Sequence, residues 1–258
     1  MRLIDTHTHL DFPDFDEDRK AVLDHATACG VERMVVLGVH RQNWQRVWDL
    51  ACADNRLPAA LGLHPVYLDQ HRPEHLTQLR QWLEARQGDA RLCAVGEFGL
   101  DYYLPALDKA AQQTLFEAQL QMACDFHLPA LLHVRRSHAQ VIATLKRYKP
   151  ARAGIVHAFA GSYEEAREYL KLGFKLGIGG AATWPQAVRL RRTLARLPLQ
   201  CLVLETDAPD MAPAMHAGRR NSPEHLPAIA GALAQVLGIE PQTLAQACHS
   251  TSCELFGW

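Results

Sequence analysis

Residues 3–9 read LIDTHTH, a short apolar start that opens into two histidines at alternate positions. Alternation at the strand period turns both imidazoles to the same side of an extended backbone, where two nitrogens can grip one cation. An HxH pair is a weak signal by itself, and it gains weight from its counterparts later in the chain. Similar apolar runs recur, each ending in a single imidazole or carboxylate: Glu97 after LCAVG, His133 after LPALL, His157 after GIV and Asp207 after LVLET. Runs of this length bounded by turn residues read as buried strands. In a (β/α)8 barrel the carboxyl ends of the strands form the active-site rim.

The spacing carries the same reading. His7 to His64 is 57 residues, and the next steps are 33 to Glu97, 36 to His133, 24 to His157 and 50 to Asp207. With a strand-plus-helix unit of roughly 25 to 35 residues, the first and last are double steps and the others single ones. The expected fold is therefore α/β, a (β/α)8 TIM barrel forming a single domain over residues 1–258, with the candidates on strands one, three, four, five, six and eight. Strands two and seven fall on ERMVVLGV at 32–39 and FKLGIGG at 174–180, neither of which ends in a strong ligand.

Composition is consistent with one large core: 258 residues, 48% apolar, with no linker-like or low-complexity tract. The start lacks the basic, apolar and small-residue pattern of a signal peptide, and no run approaches the ~20 apolar residues of a membrane span, so a cytoplasmic location is expected. Seven cysteines without CxxC spacing read as reduced core thiols. A net charge of −1 argues against a protein that coats nucleic acid through a basic face, though not against one that takes a strand end into a local basic pocket. Arg135-Arg136 and Arg219-Arg220 come after rim positions and are candidates to meet phosphate. Arg189, Arg191 and Arg192 read as a solvated helix face.

Three helices are legible. Residues 108–127 place Ala111, Leu115, Ala118, Met122 and Phe126 near one face, with Asp108 as N-cap. Residues 223–237 start at a candidate N-cap, Ser222, with Pro223 in the first turn. A last helix is expected over 241–248.

Four imidazoles and two carboxylates, His7, His9, Glu97, His133, His157 and Asp207, suffice for a two-ion site in which Glu97 bridges, one oxygen to each cation. Glycines at 96 and 99 suit a tight rim beside it. The chemistry such a site performs is hydrolysis, with Asp207 as ligand and general base. No GxSxG elbow or P-loop competes.

At this point the residues resemble a known family. DTHTHLD at 5–11, GLHP at 62–65, VGEFGLDYY at 95–103, LPALLHVR at 128–135, HAFAGS at 157–162, ETDAP at 205–209 and RNSP at 220–223 are similar, in order and over nearly the whole chain, to the signatures of the TatD family of metal-dependent deoxyribonucleases. The resemblance implies that His7, His9, Glu97 and Asp207 hold one divalent ion and Glu97, His133 and His157 the other, magnesium or manganese ahead of zinc. It implies that His64 faces the scissile phosphate or leaving group, that Arg135 clamps a phosphate, and that Asp101 and Glu205 support ligating histidines from behind. The implied substrate is a DNA end, cleaved from the 3′ side, with no obligate protein partner and no membrane. Substrate choice falls to the loop at 211–223, with His216, Arg219 and Arg220, and to Trp184, Tyr102 or Tyr103 as candidate stacking surfaces, each read first as core packing. The alternatives are an ester or amide hydrolase on the same site, or a non-catalytic metal-binding protein, which would leave gaps in the ligand set.

Overall fold

Each predicted apolar run becomes a strand because its residues bury on both faces, as parallel strands covered by helices must. The computed structural model describes residues Met1–Trp258. The strands are β1 (Leu3–Thr8), β2 (Val31–Leu37), β3 (Ala59–Leu61), β4 (Leu92–Asp101), β5 (Ala130–Arg135), β6 (Gly154–Val156), β7 (Lys175–Ile178) and β8 (Leu202–Leu204). All neighbouring pairs are parallel and run in sequence order. The ring closes where Asp207 N–H donates to the His7 carbonyl at 2.9 Å and His9 N–H to the Ala208 carbonyl at 2.7 Å. This is the (β/α)8 barrel that the spacing requires.

The helices are α1 (Arg19–Ala28), α2 (Trp44–Ala53), α3 (Pro73–Glu84), α4 (Lys109–Asp125), α5 (His138–Tyr148), α6 (Tyr163–Lys171), α7 (Val188–Leu194), α8 (Leu226–Leu237) and α9 (Pro241–Phe256). A cluster of 56 buried side chains packs between the helices and the outer face of the sheet. Ten more, among them Val35, Ala60, Ala94, Leu131, Ile155 and Val203 at alternate strand positions, fill the inner face, with Leu255 and Phe256 of α9 packed on them. The barrel is thus a solid core whose polar functions are confined to its carboxyl rim. No helix is long and apolar enough to cross a membrane. All seven cysteines are free thiols, and Cys29 and Cys52 are exposed rather than in the core.

Several boundaries differ from expectation for identifiable reasons. Glu97 lies inside β4, which runs four residues further to pair Asp101 with Arg135 of β5. In α4, Asp108 caps as expected, accepting from Ala110 and Ala111 N–H. Its buried face, however, includes Gln112 and Gln119, while Ala111 is exposed. Both glutamines bury because each satisfies a backbone pair: Gln112 accepts from Asp101 N–H at 2.7 Å and donates to the Asp101 carbonyl at 3.0 Å, and Gln119 does the same for Leu63 at 2.7 and 3.1 Å. Ser222 makes no cap bond, and a 3₁₀ turn at Pro223–His225 precedes α8. The last helix continues to Phe256, and within it the hydroxyls of Thr251 and Ser252 are satisfied by donating back to the Ala247 and Cys248 carbonyls, both at 2.9 Å.

Candidate metal centre

Four of the candidate imidazoles, His7, His9, His64 and His133, converge on Glu97, whose side chain is 3% exposed. Its two oxygens divide the surrounding imidazoles. Oε2 lies 3.1 Å from His7 Nε2 and 3.5 Å from His9 Nε2, while Oε1 lies 3.2 Å from both His64 Nε2 and His133 Nδ1. Asp207 closes the first side, with Oδ1 3.6 Å from His7 and His9 Nε2 and Oδ2 3.7 Å from His157 Nε2. Ligand atoms gather into three tight groups: His7, His9 and Asp207; His7, His157 and Glu205; and His64, Glu97 and His133. His157 therefore sits on the Asp207 side, its ring stacked on that of His7 at 3.6 Å. The corner beside Glu97 and His133, which the resemblance gives to His157, is shared by His64.

The far nitrogen of each imidazole decides what the near one offers. His9 Nδ1 donates to the Leu37 carbonyl at 3.3 Å, so Nε2 presents a lone pair. His133 Nε2 donates to Asp101 at 3.0 Å, leaving Nδ1 as the donor atom toward a cation. His157 Nδ1 faces Glu205 Oε1 at 3.0 Å, close in distance although not aligned as a hydrogen bond, and directs Nε2 to the centre. His64 is the exception. Its Nδ1 accepts from Val66 N–H at 3.1 Å, which puts the proton of the neutral ring on Nε2. His64 thus presents an N–H rather than a lone pair, a hydrogen-bond donor beside the ligand set.

The electrostatics favour cations. Burial alone would raise Glu97, but His64, His7 and His133 outweigh it and hold the carboxyl well below its usual range. Burial would likewise lower His157, yet Glu205 and Asp207 push it up to about 10 in the ion-free protein. Burial dominates at His64, which is lowered to about 4 and is neutral at physiological pH. Glu205 Oε2 is buried with no hydrogen-bond partner, while its Oε1 lies 3.0 Å from His157 Nδ1. Anionic carboxylates, lone-pair nitrogens and an orphaned carboxylate oxygen in one buried cluster fit divalent cations.

Local structure explains the placement. Asp207 has φ 60°, and Arg136, Ala158 and Met211 on the same rim have φ of 56°, 44° and 52°. Such strain collects at sites whose surroundings over-determine them. Here the restraints are visible: Asp5, fully buried, accepts from His7 N–H at 3.2 Å and Thr206 N–H at 2.9 Å, and Asn221 donates to the Thr206 and Asp210 carbonyls at 2.7 and 2.8 Å. At strand seven, a Cβ on Gly177 would stand 2.1 Å from Glu205 Oε2, so only glycine leaves space for that carboxylate.

The centre opens into a cavity of about 750 Å³. Arg135 and Arg136 stand at its wall with their guanidinium carbons 3.8 and 4.7 Å from the Tyr103 ring. Arg189 lines it as well, and Arg191 donates to the Ala182 and Thr183 carbonyls at 2.9 and 2.5 Å, so neither belongs to a merely solvated helix face. Arg220, expected to be free for phosphate, is instead committed to Asp18 at 2.6 Å and to the Asp14 carbonyl. Trp184 is anchored by its indole N–H to the Ala212 carbonyl at 3.1 Å, and Tyr102 packs on the core; Tyr103, 44% exposed, is the accessible aromatic of the three. Asp5, Gln119 and Asn221 were missed by sequence reasoning. Asp5 alone had a visible signal, as the acid that comes just before the HxH.

A cation-binding cluster at the carboxyl rim of such a barrel defines a metal-dependent barrel hydrolase. This chain belongs to the TatD family: the family described as TatD related DNase matches residues 4–257. It is 41% identical over 257 residues to the uncharacterized metal-dependent hydrolase YjjV of Escherichia coli K12, covering 99% of this chain and 98% of that protein. The solved structure of that TatD homologue superposes with a TM-score of 0.96 at 40% identity, covering 100% of this chain and 98% of the other. The 3′-5′ ssDNA/RNA exonuclease TatD of Cronobacter sakazakii is 32% identical, over 98% of this chain and 97% of its own length. The protein is a metal-dependent hydrolase of the TatD family.

Proposed function

We propose that this hydrolase cleaves phosphodiester bonds at the ends of DNA strands, removing nucleotides from the 3′ side. The observation that carries the reading is the pair of guanidinium groups, Arg135 and Arg136, that line the cavity beside the buried metal centre, each packed against the Tyr103 ring behind them. Guanidinium groups recognise phosphate bidentately, and a ring packed against them holds them in place. A neutral ester or amide would need neither.

In this reading His7, His9, His157 and Asp207 would hold one cation, and Glu97 and His133 the second. Divalent ions bound there, magnesium or manganese ahead of zinc, would supply a more acidic water and polarise a phosphoryl oxygen. Asp207, the most open of the carboxylates at 15% side-chain exposure and held as an anion by His157 and His9, takes the proton of the attacking water. The water oxygen bonds to phosphorus as the bond to the leaving 3′ oxygen breaks. His64 Nε2–H donates to the phosphoryl or leaving oxygen, an N–H fixed by Val66. Arg135, held from behind by Asp101 at 3.9 Å, orients the neighbouring phosphate.

The test is Arg135→Ala in steady-state cleavage of a short single-stranded oligonucleotide. KM should rise about tenfold, the worth of one charge-assisted contact, with kcat little changed. An unchanged KM would remove the phosphate clamp from the reading.

A further inference from the structure

Between the ends of β5 and β6 the cavity wall carries a polar pair that the metal centre does not use. His138, the first residue of α5, and Glu165, in the first turn of α6, both line the cavity. Behind His138 lies Tyr169, fully buried and in edge contact with Phe159 at 6.4 Å. The Tyr169 hydroxyl has one partner, His138 Nδ1 at 3.0 Å. A buried O–H without an acceptor costs about 1–3 kcal/mol, so the phenol donates and Nδ1 accepts. The proton of the neutral imidazole is then on Nε2. That nitrogen makes no protein hydrogen bond and is not sealed from solvent, and His138 lines the cavity. Phe159, edge-on at 5.6 Å, fixes the ring further.

Glu165 supplies the complement. Its Oε2 accepts from Ser162 N–H at 2.6 Å in the capping box that starts α6, which anchors the side chain and leaves Oε1 as an acceptor. A fixed donor and a fixed acceptor share one wall, with the small residues Ala158, Ala160 and Gly161 between β6 and α6.

We infer that His138 and Glu165 read the edge of one unstacked nucleobase of the substrate, Nε2–H donating to a ring acceptor and Oε1 accepting from the adjacent N–H. The inference rests on the nucleic-acid reading of the metal centre. Phosphate does not fit here, because its oxygens only accept and the carboxylate repels it. Each of the four bases presents an acceptor beside a donor on its pairing edge, so the pair grips a base without choosing among them. Tyr169 acts as a positioning residue through the tautomer it imposes.

The experiment uses the full-length, metal-loaded enzyme and single-stranded oligonucleotides carrying one abasic residue at successive positions from the 3′ end. In the unsubstituted protein, an abasic residue at the position that meets the pair should lower kcat/KM about tenfold. In His138→Ala that penalty should vanish at the same position. It should return in His138→Gln, whose amide N–H reaches the place of Nε2–H. Tyr169→Phe, which keeps the buried ring and removes only the tautomer restraint, should erase most of it. A fold defect would slow all oligonucleotides alike and leave the penalty intact, which would overturn the assignment. Absence of any abasic penalty in an actively cleaving enzyme would overturn the base-reading pair alone. No cleavage of any oligonucleotide, with hydrolysis of a non-nucleotide ester retained, would overturn the nuclease reading and the pair with it.

Discussion

Gln119→Leu removes the amide that clamps the backbone next to His64 while preserving side-chain volume. Gln119 and Leu63 are both fully buried, and the amide accepts from Leu63 N–H at 2.7 Å and donates to the Leu63 carbonyl at 3.1 Å. Leucine leaves both groups without a partner and out of reach of water. At about 1–3 kcal/mol for each of the two stranded groups, the expected loss is about 2–6 kcal/mol. Since 1 kcal/mol moves Tm by roughly 2–4 °C in a domain of this size, Tm should fall by at least about 4 °C and by up to about 24 °C. The assay is thermal unfolding tracked by circular dichroism in the presence of chelator, so that ion binding contributes nothing to the difference. Hydrolysis by the folded, metal-loaded variant should also drop, because the segment bearing His64 is no longer pinned to α4. A Tm within about 1 °C of the parent would mean that these glutamines are not buried as backbone partners.

Three further outcomes are expected of the site. Glu97→Ala, which removes the carboxylate shared by four imidazoles, should lower hydrolysis by about 10³-fold or more and reduce the bound metal measured by elemental analysis, with the far-ultraviolet spectrum unchanged. Gly177→Ala should displace Glu205, whose Oε2 would lie 2.1 Å from the new methyl, and cost about 10–100-fold in turnover through the misdirected His157; full activity in a kinetic assay would contradict the support role. Because His157 is raised to about 10 without an ion, metal loading near pH 8 must expel a proton from its ring. Apparent metal affinity should therefore climb as pH rises toward that value, and calorimetric binding enthalpies should vary with the ionisation enthalpy of the buffer.

The barrel was legible because its strands are short, apolar and evenly spaced, and because in parallel strands buried on both faces polar residues gather toward the carboxyl ends. The positions of His7, His9, His133, His157 and Asp207 obey that rule. What stayed hidden depends on contacts distant in sequence. Arg220 reads as a rim cation, yet Asp18 claims it across 202 positions of chain. Gln112 and Gln119 break the apolar periodicity of α4, and nothing local indicates that backbone groups of β4 and of the segment before His64 wait for them. The role of His64 turns on a proton that Val66 N–H forces onto the other nitrogen, a feature of the turn at Pro65 rather than of the GLHP letters. The His138–Tyr169 bond joins two helices and left no periodic trace.

A metal-dependent nuclease working from the 3′ end is tested most directly by cleavage of single-stranded DNA labelled at the 3′ or the 5′ end. Metal-stripped protein is used, with Mg²⁺, Mn²⁺ or Zn²⁺ restored and Asp207→Asn run alongside. Metal-dependent shortening from the 3′ end should appear and should be lost in the variant. Cleavage that persists in Asp207→Asn, or no cleavage with any of the ions, would contradict that reading.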